Sequence, residues 1–324
     1  MIRSRIGHRG RRALGGGAGL ALTALLLFGC GQQFDLPAQP DKPIPIPEPG
    51  TYNLKTAWTL PAPGDLASFG LYLFVITAQA RLEVYYTTRY SPQRPPMVSE
   101  FTGLVAPVQV AVTKRDSLFV VVADSGDMRC KVYYWLGGPP LQSFSDSAWV
   151  ELSGLAADGD LTIYVADAAR DTVMAYDRWG HRRRVVSDYG TGSGYVIDPH
   201  GLAYNGTLLV VADTGKNWVQ RLEPDTTNIP AILEPIGREE GLLAAPLDVA
   251  TDREGEYVYV ADTGHDRVLR FLTSGAFSDT VYSRQKIDLD PPLTSPRWIC
   301  SEDSLVFISD PAQNRLLLLE LKAL

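Results

Sequence analysis

Histidine is scarce in this chain, four among 324 residues, and one of them, His200, directly follows a proline. Arg297 stands in the same way after Pro296, while Asp65, Gln109 and Asp248 stand one residue further along, after Pro63, Pro107 and Pro246. An imidazole, a guanidinium, two carboxylates and a carboxamide at matched places are the side chains best suited to hold a ligand. Asp65, Gln109 and Asp248 also offer the oxygen donors that Ca2+ takes, six to eight at a site. A catalytic zinc asks for about three protein ligands. The six places equivalent to His200 hold Gly64, Val108, Ser153, His200, Leu247 and Arg297, which supply one imidazole between them. No paired Ser/His or Cys/His nucleophile can be assigned.

These places are equivalent because the chain repeats. YVADTGHDRVLRF at 259–271, VVADTGKNWVQRL at 210–222, YVADAARDTVMAY at 164–176 and VVADSGDMRCKVY at 121–133 are copies of one phrase. FISDPAQNRLLLL at 307–319 is a divergent copy and FVITAQARLEVYY at 74–86 a degenerate one. The anchor position reads Thr77, Asp124, Asp167, Asp213, Asp262, Asp310, a period of 43 to 49 residues. A shorter phrase precedes each anchor, as in Pro-His-Gly-Leu-Ala at 199–203 and Pro-Leu-Asp-Val-Ala at 246–250. A period in the forties, built from short β-rich segments, is that of propeller blades.

The two phrases together resemble the NHL repeat, over roughly residues 60 to 320. The resemblance implies an all-β, six-bladed β-propeller with four-stranded antiparallel blades. It is specific for fold and unspecific for activity. Related six-bladed propellers include enzymes, among them the zinc lyase of peptide amidation and lactonase-type hydrolases. The single histidine of the six places argues against the zinc lyase. The function expected is a binding or scaffolding module for a protein, peptide or polysaccharide. The alternative is a propeller enzyme, a lactonase-type hydrolase or a lyase, working at the mouth of the central channel.

Each blade follows from its residues. Apolar runs such as Leu208 to Ala212 and Tyr257 to Ala261 suit strands buried on both faces, with Val211 and Val260 in the core between blades. The Asp-Thr-Gly phrase turns the chain, and Gly215 or Gly264 is expected to take positive φ there. The family's Arg five residues after the anchor is present at Arg129, Arg267 and Arg315, and it is expected to tie neighbouring turns together with the Asp. The next segment alternates, as in Arg267 to Phe271, and leads to an outer strand. After the last phrase only Glu320 to Leu324 remain, which leaves no outer strand for blade six. Tyr52 to Leu60 is therefore expected to supply it and close the ring.

Residues 1–29 carry five arginines, no acidic residue and a short apolar stretch, the pattern of a secretory signal. The stretch ends Leu27-Phe28-Gly29-Cys30, which resembles a bacterial lipobox. That resemblance implies a lipid-modified Cys30 as the mature N-terminus, with each buried CH₂ of the acyl chains worth about 0.8 kcal/mol. Gly31, where Asp would signal retention at the inner membrane, points to the outer membrane in a Gram-negative cell. Proline fills six of the fourteen positions from Pro37 to Gly50, so residues 30–50 read as an extended spacer. The propeller is expected over 51–324.

Removing the five leader arginines leaves 25 basic and 37 acidic residues, a net charge of −12. Such a head is a poor match for phosphate backbones, so no nucleic-acid partner is expected, and the head is expected to be monomeric. The one basic run, His181 to Arg184, falls on the predicted outer strand of blade three, where charge discourages edge-to-edge pairing. Cys130 and Cys300 fall on distant strands and are expected to be small buried hydrophobes with no disulfide between them. His181 and His265 fall in turns away from the channel.

Overall fold

The computed structural model describes residues 52–87, 97–114, 116–224, 233–285 and 288–322. The predicted signal, Cys30 and the Pro-rich spacer lie outside these residues. The described chain forms six antiparallel sheets in sequence order around a ring. Each blade starts at the channel and works outward. Blade three, for example, runs through Leu152–Ala157, Ile163–Asp167, Thr172–Tyr176 and Arg182–Ser187, each strand pairing with the next.

The ring closes through the N-terminal strand. Tyr52–Thr59 pairs antiparallel with Arg315–Leu321, from Tyr52 opposite Leu321 to Thr59 opposite Arg315, with one bulge between Leu54 and Thr56. Blade four is described except for residues 225–232. Its described part has three strands, Pro199–Tyr204, Leu209–Asp213 and Trp218–Leu222, and the outer pairing within it is a single bridge between Val219 and Ile236. Pro235 stands beside that bridge, and proline has no N–H to give to a ladder.

The core lies between blades, in six apolar clusters, one at each junction. Val211 and Val260 are fully buried, as are Cys130 and, nearly so, Cys300. Both cysteines are free thiols. Small alanines end the second strands, as at Ala123, Ala166, Ala212 and Ala261, all without exposure. The basic run opens the outer strand of blade three, where Arg182 and Arg183 are exposed.

One expectation about the turns is corrected. The glycines of the Asp-Thr-Gly phrase are not left-handed; that conformation falls two residues later, at Asn217 (φ 58°) and Asp266 (φ 53°), which end short 3-10 turns. Gly215 and Gly264 are required for close approach instead. A Cβ at Gly215 would sit 2.7 Å from the Ile197 carbonyl oxygen, and one at Gly264 2.7 Å from that of Ala244. Both glycines donate their N–H to those same carbonyls, at 3.0 and 2.9 Å. The phrase thus clamps the loop that leads into the blade's inner strand.

Candidate functional site

The six residues that follow the repeated lead-in come together at one end of the channel. Gly64, Val108, Ser153, His200, Leu247 and Arg297 line a single cavity of about 350 Å³ with Gln109, Glu151, Ile76, Leu152, Pro107 and Trp298. Each blade therefore delivers at least one side chain or, at Gly64, bare backbone.

The anchors fix these positions. Strand pairing puts the end of each second strand beside the start of its inner strand, so the anchor carboxylate reaches the lead-in loop. Asp124 accepts from the N–H groups of Val105 and Ala106 at 2.8 and 2.7 Å, just before Val108 and Gln109. Asp167 accepts from Val150 and Glu151, Asp213 from Ile197, and Asp262 from Ala244. The repeated acid is a positioning residue for the unrepeated one.

The charge partner of the anchor varies, and it is not always the residue five places on. Arg267 Nε lies 2.6 Å from Asp262 Oδ2, and Arg315 Nε 2.8 Å from Asp310 Oδ2. In blade two the partner is Lys131, at 2.7 Å, rather than Arg129. In blade four Gln220 and Lys216 take the role. Burial raises the pKa of Asp124, but Lys131 and three backbone N–H donors outweigh it and hold this acid below the ordinary range. Asp213 stays raised, because burial exceeds what neutral Gln220, Ile197 N–H and Lys216 return.

Hydroxyls tie one blade to the next beneath the same mouth. Ser153 donates to the Pro199 carbonyl, Thr214 to Pro246, Thr263 to Pro296 and Ser309 to Pro63, at 2.6–2.8 Å. The last of these bridges blade six to blade one. Thr214 also decides the state of His200. Its single proton goes to Pro246 at 2.6 Å, so its oxygen can only accept from His200 Nδ1 at 3.2 Å. The Asp198 carbonyl, 3.1 Å from the same nitrogen, can only accept as well. Nδ1 therefore carries a proton, with the Asp198 carboxylate 3.7 Å from it, and the neutral tautomer of this geometry has its lone pair on Nε2. Among the described residues Nε2 has no hydrogen-bond partner.

Arg297 is exposed, and its guanidinium lies over the Trp298 ring, 4.8 Å from the centroid. Among the described residues no carboxylate lies within ion-pair distance of it. Gln109 is 8% exposed, and its amide has no protein partner among the described residues.

Asp65 and Asp248 sit elsewhere. Both are 4% exposed and turn into the blade junctions. Asp65 accepts from Val110 N–H of blade two at 2.7 Å and from Leu66 N–H at 2.8 Å. Asp248 accepts from Ile299 N–H of blade six at 2.8 Å, and its other oxygen packs against Gly201, where a Cβ would lie 2.0 Å away. His265 bonds Asp262 and His181 bonds Asp177, and neither lines the cavity. Glu151 and Trp298 were not singled out by sequence; their place next to the six repeated positions was the available signal.

Burial raises the pKa of both junction acids, and the charge of Asp65 raises Asp248 further. The unfolded chain releases such a proton near pH ~3.9, whereas the folded chain holds it to higher pH. Over that interval the folded state binds more protons, so the stability these acids allow is complete below it and is lost as pH rises through the folded pKa. Asp248→Asn is expected to flatten the fall of Tm between pH 4.5 and pH 8. A variant whose Tm tracks the wild type across that range would show that Asp248 does not titrate there.

No family model matches the chain, and no curated protein does. Solved structures do. A protein of unknown function from Bacteroides thetaiotaomicron superposes with a TM-score of 0.62 at 14% identity, covering 84% of this chain and 76% of that one. Virginiamycin B lyase from Staphylococcus aureus gives 0.58 at 11%, covering 84% and 100%. A chain of the nidogen/laminin complex gives 0.53 at 17%, covering 76% and 84%. At these identities the likeness is one of fold: the chain is a six-bladed β-propeller.

Proposed function

We propose that this protein is a lipid-anchored cell-envelope propeller of the NHL type, acting as a binding or scaffolding module with the channel-mouth cavity as its recognition site. One observation carries the reading. The residues that repeat are spent on the scaffold, whereas the six that meet at the mouth are all different, and function resides in such grafted side chains. The leader ending in Leu27-Phe28-Gly29-Cys30 and the Pro-rich spacer support presentation of the head away from a membrane. A propeller lyase or hydrolase is the second reading. The free Nε2 of His200 and the likeness to virginiamycin B lyase favour it. Among the described residues no three His, Cys, Asp or Glu side chains are placed to hold a metal ion, so the support for this reading is for a metal-free form.

The His200→Ala/Arg297→Ala double variant is expected to fold normally and to lose partner capture from envelope extract. Equal capture by variant and wild type, with unchanged melting, would remove the cavity from the function. For the anchor, Cys30→Ala is expected to abolish the acyl mass increment and partitioning into detergent. An unchanged mass and partitioning would overturn it.

A further inference from the structure

We infer that the cavity is built for a short zwitterionic peptide, its amino group toward Glu151 and His200 and its carboxylate toward Arg297. This rests on the cavity being the recognition site.

The ring order places opposite charges on opposite walls. Blades follow one another in sequence around the ring, so blade three faces blade six and blade two faces blade five. Glu151 comes from blade three and His200 from its neighbour, blade four; Arg297 comes from blade six. One side of the mouth thus carries an exposed acidic residue and a histidine whose neutral tautomer has an acceptor nitrogen at Nε2. An ammonium group has three donors and no acceptor, and it fits that side. The opposite side offers a guanidinium whose face is spent on Trp298, leaving its N–H edges free. Those edges match a carboxylate in bidentate fashion.

Between the charged walls stand Gln109 and, across from it, Leu247. Gln109 is more than nine-tenths buried and has no protein partner among the described residues. Its amide atoms are open to the cavity, where they can exchange water for a ligand. A carboxamide has both a donor and an acceptor, and so does a peptide link. Leu247, Val108, Ile76 and Leu152 give an apolar wall for a side chain. The volume of about 350 Å³ suits a group of dipeptide size.

The test uses leucyl-leucine with its N-acetyl and C-amide forms, titrated calorimetrically into the purified head. The free dipeptide is expected to bind, and each capped form to bind about tenfold or more weakly, as for the loss of one charge-assisted hydrogen bond. Arg297→Ala is expected to remove the penalty for the C-amide and leave the penalty for the N-acetyl form. Glu151→Gln is expected to do the reverse. Capped forms that bind as well as the free dipeptide, with all binding lost in His200→Ala, would overturn zwitterion recognition and leave the cavity as the site. Binding unaffected by His200→Ala and Arg297→Ala would overturn both. No binding of any form would overturn the peptide assignment, whatever the envelope capture shows.

Discussion

A chain that begins at Pro61 is expected to melt far below the full-length head and to aggregate. Three large side chains leave with the lost segment: Tyr52, Trp58 and Leu60, each 3% exposed or less. Burial of a large apolar side chain contributes about 1.5–3 kcal/mol, so about 5–9 kcal/mol is at stake as an upper estimate. A domain of this kind holds only about 5–15 kcal/mol in total. The segment also reaches beyond its own blade. The Tyr52 hydroxyl bonds Tyr259 at 3.1 Å and accepts from Arg270 at 3.0 Å, both in blade five. Its removal bares the edge of Arg315–Leu321, four consecutive leucines among its residues, and an unpaired apolar edge recruits other chains. Thermal melting and light scattering of the truncated head check this. Cooperative melting at the full-length temperature would mean that the ring does not depend on the N-terminal strand.

The ring closure was legible because it rests on arithmetic: six anchors, six inner strands and one missing outer strand. The cavity was legible for the same reason, since a repeat puts equivalent positions at equivalent radii. His200, Arg297 and Gln109 were found that way. The direction in which a side chain turns was not legible. Asp65 and Gln109 hold the same repeat position, yet the acid is drawn to the Val110 N–H of the next blade and the amide lines the cavity. Asp248, the other acid at this position, likewise accepts from the next blade, at Ile299 N–H, so the direction follows partners in the next repeat, which no single repeat encodes. The hydroxyl ties from Ser153, Thr214, Thr263 and Ser309 were hidden for that reason too, because each partner lies in another repeat. The Gly215 reading failed more simply. Glycine serves equally for positive φ and for close approach, and only the position of Ile197 decides between them.

Replacing Asp262 by Ala is expected to cost about 3–5 kcal/mol, as for one half of a buried ion pair. Asp262 is wholly buried, and Arg267 is 9% exposed. The carboxylate accepts from Arg267 Nε at 2.6 Å and His265 Nδ1 at 2.9 Å on one oxygen, and from Ala244 N–H at 2.7 Å on the other. Arginine cannot shed its proton at any accessible pH, so in Asp262→Ala the cation stays buried with the Leu242 carbonyl, at 2.7 Å, and neutral His265 Nδ1, at 3.3 Å, to receive it in place of a carboxylate. A second change tells electrostatics from packing. Asp262→Ala/Arg267→Met removes both charges and keeps most of the volume, and exchange of a whole buried pair for apolar groups is often close to neutral. The double variant is therefore expected to recover much of the loss in chemical denaturation, short of the unpaired Ala244 N–H at about 1–3 kcal/mol. If the double variant is as unstable as the single, the anchor acts through the lead-in loop alone. The charge pair would then be incidental, and Asp167, which holds its loop with no cation within ion-pair distance among the described residues, would be the simpler form of the same device.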